Sequence, residues 1–310
     1  MTVQELRTIL PEGIKEETEQ FSPGIWDNIE EIRIRVERPV EIIIRGRPHF
    51  LRYRATVEDG VQLLNKISHY SIYTLEEELK RGYITVNGGH RVGLAGKVIT
   101  EQGNVKAIRY ITSFNIRVAR QKIGISEQWI PYLYKKRWLN TLFYGPPQTG
   151  KTTMLRDIAR LISTGQSNIP PLKVGIVDER SEIAGCVKGV PQHQFGVRID
   201  VLDACPKAEG MMMLIRSMSP DVLIADEIGR KEDTEALFEA INSGVSVFVT
   251  AHGESMEDLM KRPSIYTLVK ANVFDRYVQL SRKNDRPGCV EKIFDTNGKE
   301  ILLTERVTTS

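Results

Sequence analysis

Cysteine is scarce in this chain of 310 residues: Cys186, Cys205 and Cys289 are odd in number and too far apart for a CxxC pair. Their spacing excludes a disulfide framework and gives no support to a zinc site, and a reducing cytosol is the compartment expected. Long apolar runs are missing too; nowhere do about 18 hydrophobic residues follow one another, the length a spanning helix needs. The opening stretch MTVQELRTILPEGIKEE has no basic segment leading into an apolar one, so no signal peptide is expected. Nor is charge of one sign in excess. The formal net charge is +3, with nineteen Lys and Arg against sixteen Asp and Glu in residues 1–125 and twenty-four of each beyond. So small a surplus does not call for nucleic acid, which is not expected as a partner. Repeats and low-complexity tracts are absent. What remains, 41% hydrophobic and 27% charged, is the composition of a folded globular protein with room for one large or two modest domains.

Two patterns divide the chain. Up to residue 125, short strands alternate with two helices, an α+β domain. EIRIRVERPVEIIIRG reads as two strands turned at Pro39, and YITVNGGHRVGLAGKVIT and KAIRYITSFNIRVAR as strands with turns at Asn87-Gly88 and Gly103-Asn104. Thr56 with Asp59 and Thr74 with Glu77 mark the helix starts, and Gly82 the second stop. Residues 126–138 are expected to be a linker passing into a short aromatic helix or turn. From 139 to 310 the runs TLFYG, KVGIVD, DVLIADE and SVFVTAH are continuously apolar, the signature of parallel strands covered on both faces. Helical patterns at 152–163, 208–217 and 232–243 separate them, which predicts a doubly wound α/β domain. After residue 272, NVFDRYVQLSR and VEKIFDTNGKEILL predict antiparallel strands at one edge.

The chemistry is concentrated at the strand ends. Gly145-Pro146-Pro147-Gln148-Thr149-Gly150-Lys151-Thr152 matches the Walker A pattern between an apolar strand and an amphipathic helix, and Thr153 continues it. The glycines let backbone N–H groups converge on phosphate, and the helix adds its positive end. Lys151 is expected on the β- and γ-phosphates of ATP, and the Thr152 hydroxyl on Mg²⁺. DVLIADEIG delivers Asp226 to the Mg²⁺ shell and Glu227 to an attacking water, work that hydrolysis requires. Two further strand ends present Asp178, Glu179 and Arg180, and Thr250 and His252; His252 is a candidate γ-phosphate sensor.

Arg117, Arg120, Arg198 and Arg216 are candidates for an arginine finger, each weighed against an ordinary ion pair. Met211-Met212-Met213 reads most simply as helix core with adaptable packing. Gly88, Gly89, Gly93 and Gly96 open no helix and read as bulges or tight turns. Arg45, Arg47, Arg52 and Arg54 form a basic stretch that faces nucleic acid, acidic lipid or a neighbouring subunit, or is simply a solvated strand face.

GPPQTGKTTMLRDIAR, VDERSEIAG, VRIDVLDACPK, IRSMSPDVLIADEIG and VTAHG together resemble the stage III sporulation protein AA family of endospore-forming bacteria. More distantly the chain resembles the ring ATPases of type II and type IV secretion, whose Asp and His boxes correspond to Asp178-Glu179 and His252. The resemblance implies a cytosolic hexameric ATPase with an N-terminal domain on a RecA-like core. It acts from the mother-cell side on a membrane-embedded channel or secretion component, held at the membrane through that partner. It also implies Glu179 as a water-positioning acid. Asp226 departs from the pattern: secretion ATPases commonly carry Gly there, so their Mg²⁺ geometry does not carry over. Two other readings keep the same phosphate loop, a nucleic-acid-dependent ATPase and a small-molecule kinase; for the latter no acceptor pocket or Arg-rich lid is evident.

Overall fold

Alternating and continuous apolar runs build two different sheets in the computed structural model, which describes residues 3–68, 76–166, 168–283 and 286–301. The chain divides into two units: Met1–Arg120 with Gly185–Gln192, and Gln121–Ala184 with His193–Ser310.

The first unit holds an antiparallel sheet of β1 (Ile29–Arg35), β2 (Pro39–Ile44), β3 (Arg47–Arg54), β4 (Tyr83–Val86), β5 (His90–Glu101) and β6 (Asn104–Arg117), in the order β3-β2-β1-β6-β5-β4. Register follows from the period-two pattern: Ile42, Ile32, Ile116, Val92 and Ile84 stand opposite one another across five strands. All five are buried, because a one-residue slip would turn the row to water. The covering helices are α1 (Glu12–Thr18), α2 (Pro23–Trp26), α3 (Val57–Ile67) and α4 (Glu76–Arg81). The Thr56–Asp59 capping box begins α3 as expected; Thr74 lies outside the described residues. Residues 3–26, in which no element is predicted, supply Leu6, Leu10, Ile14 and Trp26 to the core. The glycines behave as turns and a bulge: Gly88 and Gly89 have positive φ, and the β5–β6 register shifts between Ala95 and Lys97.

The second unit holds β7 (Thr141–Gly145), β8 (Val174–Asp178), β9 (Ile199–Asp203), β10 (Val222–Ala225), β11 (Ser246–His252), β12 (Arg276–Lys283), β13 (Arg286–Asp295) and β14 (Glu300–Ile301). Their order is β14-β13-β12-β7-β11-β10-β8-β9. The expected antiparallel edge is present, with one addition. β12 pairs antiparallel with β13, and β13 with β14, but on its inner side β12 runs parallel to β7, with Arg276 beside Thr141. The reason is the connection: α9 (Met256–Met260) and α10 (Pro263–Lys270) carry the chain back to the starting end of β11. Strand residues alternate between two cores. One lies under α7 (Lys207–Met218), α8 (Lys231–Asn242) and α10, the other under α6 (Lys151–Thr164). This is the RecA-like doubly wound α/β core, preceded by a smaller α+β unit.

Residues 126–138 include the expected short helix. This is α5 (Ile130–Leu133), and Leu133 and Trp138 are buried beside α6, because aromatic side chains there cover one face of the sheet. Helix α6 is also the anchor for three loop segments. Asp157, fully buried, accepts from the Gly124 and Ser126 amides at 3.1 and 2.9 Å and from Ser126 Oγ at 2.5 Å. Arg156 donates to the carbonyls of Ile183 and Glu182 at 2.7 and 2.5 Å, and Ser163 Oγ accepts from the Gly196 amide at 2.9 Å. No described helix is long and apolar enough to cross a membrane.

Candidate nucleotide-binding and hydrolytic site

The strand β7 stops at Gly145, and α6 starts at Lys151 after Gly150, whose φ of +86° no other residue type adopts readily. A Cβ on Gly145 would lie 2.4 Å from the Leu280 carbonyl oxygen, so β12 approaches the loop too closely for any side chain there. The same β12–β13 hairpin holds the loop further along: the Gly288 amide of β13 donates to the Thr149 carbonyl at 2.7 Å, and Arg282 of β12 donates to Gln148 Oε1 at 3.3 Å. Thr149 Oγ1 closes the turn on the Pro146 carbonyl at 2.9 Å, and Pro147 and Gln148 are exposed. The first-turn amides of α6, including those of Thr152 and Thr153, have no acceptor within the helix, which is the arrangement that binds phosphate oxygens.

Around this loop the start of α6 and the strand ends bring six candidate side chains together. Lys151 Nζ donates to the carbonyls of Gly145 and Pro146 at 2.9 and 2.8 Å and lies 3.2 Å from His252 Nδ1. Burial lowers the Lys151 pKa, and the charges of Asp226 and Glu227 oppose that shift. Since an ammonium only donates, His252 Nδ1 accepts and its Nε2–H donates to Glu227 Oε1 at 2.8 Å. Thr152 Oγ1 donates to Asp226 Oδ2 at 2.6 Å. Buried Thr250 donates to Asp226 Oδ1 and accepts from the Glu227 amide at 2.8 Å. Glu227 has a φ of +52°, a left-handed conformation that turns the chain sharply out of β10 and aims the carboxylate at His252.

Two counter-ions complete the candidate site: Arg180 comes from a strand end the sequence singles out, whereas Lys207 is not indicated by spacing. Arg180 Nη1 lies 2.7 Å from Glu227 Oε2, and Lys207 pairs with Glu179. Glu179 therefore lines the same small cavity as Glu227 while staying outside the Lys151–His252–Glu227 chain. Asp178 serves the fold: its buried carboxylate accepts from the amides of Glu182, Ile183 and Ala184 at 2.8, 3.0 and 2.8 Å. Burial raises its pKa to about 6 against those hydrogen bonds. Among the finger candidates, Arg120 donates to the Ile29 carbonyl, Arg198 to the Pro171 carbonyl, Arg117 lies 3.9 Å from Glu31, and Arg216 is exposed on α7. Arg180, in contrast, touches Glu227 itself.

No three or more His, Cys, Asp or Glu cluster for a metal among the described residues. Thr152 and Asp226 instead present two hard oxygens side by side, a donor set that fits Mg²⁺ completed by phosphate and water.

Sheet order, phosphate loop and acidic strand end define a RecA-like P-loop protein. The fold matches the Yersinia pseudotuberculosis ATPase DotB (TM-score 0.60, 16% identity, 92% of this chain and 80% of that one). It also matches the pilus retraction motor PilT with bound ADP (TM-score 0.58, 18% identity, 86% and 76%). Within that class the chain belongs to the family described as Sporulation stage III, protein AA, whose profile matches residues 2–301. Stage III sporulation protein AA of Bacillus subtilis (strain 168) is 61% identical over 307 residues, 99% of this chain and all of that one.

Proposed function

We propose that the chain hydrolyses ATP, and the observation that carries the reading is the continuous chain Lys151–His252–Glu227 beside the Thr152–Asp226 pair. Glu227 accepts a proton from water as the water oxygen bonds to the γ-phosphorus and the bond to the β–γ bridging oxygen breaks, releasing ADP and phosphate. The loop amides and Lys151 bind the phosphates; Lys151 then exchanges its carbonyl partners for phosphate oxygens. Mg²⁺ held by Thr152 and Asp226 would neutralise phosphate charge. His252 holds Glu227 in line with Lys151, so that loss of the γ-phosphate is felt at the base. Glu179, paired to Lys207, orients water or the Glu227 loop.

In this reading the protein is a ring-forming motor, a homohexamer working on the cytoplasmic, mother-cell side of a membrane-embedded complex in sporulation. On the same reading the N-terminal module spans 1–125 and is joined through 126–138 to an ATPase module at 139–310, with residues 185–192 grouping with the first unit. The test is phosphate release from Mg²⁺-ATP with no second substrate, in wild type and Lys151→Ala, with protein mass followed as nucleotide is added. Release abolished by Lys151→Ala, together with nucleotide-dependent growth to a ring, is expected. Release that requires an organic acceptor would replace the motor by a kinase, and stimulation by DNA or RNA at low salt would replace it by a nucleic-acid-dependent enzyme.

A further inference from the structure

The run Met211-Met212-Met213, expected as helix core, faces two ways. Met211 is fully buried, whereas Met213 is 53% exposed. With Met212 and Ala236 it floors a groove of about 960 Å³ between α7 and α8. Glu209, Glu232, Glu235 and Glu239 rim this groove, with Arg216 as the basic residue among its lining. Four acids against one base give it a charge of −3, in a chain whose net charge is +3. Glu209 and Glu232 sit in the first turns of their helices, where a carboxylate favours the helix end, and Lys231 offsets Glu235 at 3.3 Å. Glu239, near the end of α8, gains nothing of that kind from its position.

We propose that this groove docks a cationic amphipathic helix of a partner protein. The walls are two helices, whose backbone groups are used internally, so an extended peptide laid here would find no ladder to join; a helix brings its own hydrogen bonds. Methionine side chains adapt to an apolar face that is not their own, and the acid rim selects Lys or Arg on the flanks of that face. Each wall is 12 residues long, or about 18 Å, which seats about three turns of a docked helix.

The probe is a fluorescent amphipathic Leu/Lys helical peptide, titrated into the full-length protein by anisotropy, beside a scrambled peptide of the same composition and a Leu/Glu counterpart. Saturable binding of the Leu/Lys helix is expected, about tenfold or more tighter than the scrambled peptide, with no binding of the Leu/Glu helix. Met213→Glu and the double variant Glu235→Lys, Glu239→Lys should each weaken it about tenfold; both change exposed positions, and circular dichroism checks their folding. Independently, methyl resonances of Met212 and Met213 should shift on binding while that of buried Met154 stays. Equal binding of the scrambled peptide, unchanged affinity in both variants, or unmoved Met212 and Met213 methyls would overturn the proposal. So would dissolution of a homo-oligomer by Met213→Glu, because the occupant would then be a second copy of this chain.

Discussion

Two neighbouring parallel strands each end in Asp-Glu, and the two pairs have opposite fates. Ala225 of β10 stands beside Val177 of β8, so Asp226-Glu227 and Asp178-Glu179 leave the sheet side by side. Asp178 meets three backbone amides and becomes the knot of its own loop; Asp226 meets two hydroxyls, from Thr152 and Thr250, whose oxygens stay available to an ion. Glu179 is matched to an ammonium, whereas Glu227 sits between an imidazole and an exposed guanidinium. On the proposed function, what separates a structural acid from a chemical one here is the kind of donor it meets, not its place in the motif.

The largest expected difference is in turnover. Glu227→Gln should slow phosphate release about 10³-fold while leaving nucleotide binding intact, and Glu179→Gln should slow it about tenfold or less. Equal losses, measured under single-turnover conditions, would erase the distinction between the two pairs. Next comes stability. Asp178→Ala strands three buried amides and should cost about 3 kcal/mol or more in urea unfolding, several times the cost of Asp226→Ala.

A smaller effect appears with pH. The Asp178 pKa rises on folding from 3.8 to about 6, so the folded state binds the proton more tightly. Its stabilising contribution is therefore complete below about pH 4 and is lost as the pH rises through the folded value. Unfolding midpoints of wild type minus Asp178→Asn should fall over that window and level off above it; a rising difference would mean that the amide bonds outweigh burial. Smallest is Arg180→Gln. An ion pair with one exposed partner should change stability by less than about 1 kcal/mol, and turnover by several-fold through a less fixed Glu227.

Much of the second unit is legible in its sequence because buried parallel strands need no partner to be recognised: β7, β8, β10 and β11 are continuous apolar runs, and the three longest helices begin and end within a residue or so of their patterns. β9 is not, since Ile199–Asp203 is half-buried throughout and interrupted by acids. The strand direction of β12 is set by a crossover, and the membership of 185–192 in the first unit by contacts distant in sequence, such as Gln192 Oε1 accepting from the Gly88 amide at 3.1 Å. At the site, Lys151, Thr152, Asp226, Glu227 and His252 are legible from the motif and strand ends. Lys207 is not, because its partner lies 28 residues away, and neither is the Arg180–Glu227 pair.

The anchoring of loops on α6 has a mechanical consequence. The chain passes between the units three times, after Arg120, after Ala184 and after Gln192. Asp157 grips the chain at 124 and 126, Arg156 at 182 and 183, and Ser163 at 196, each within a few residues of a crossing. Gln121 and Gln194, beside two of those crossings, also exchange a reciprocal pair of hydrogen bonds, both 2.7 Å. A single rod, whose leading end is the phosphate loop, thus holds all three tethers like strings on one peg.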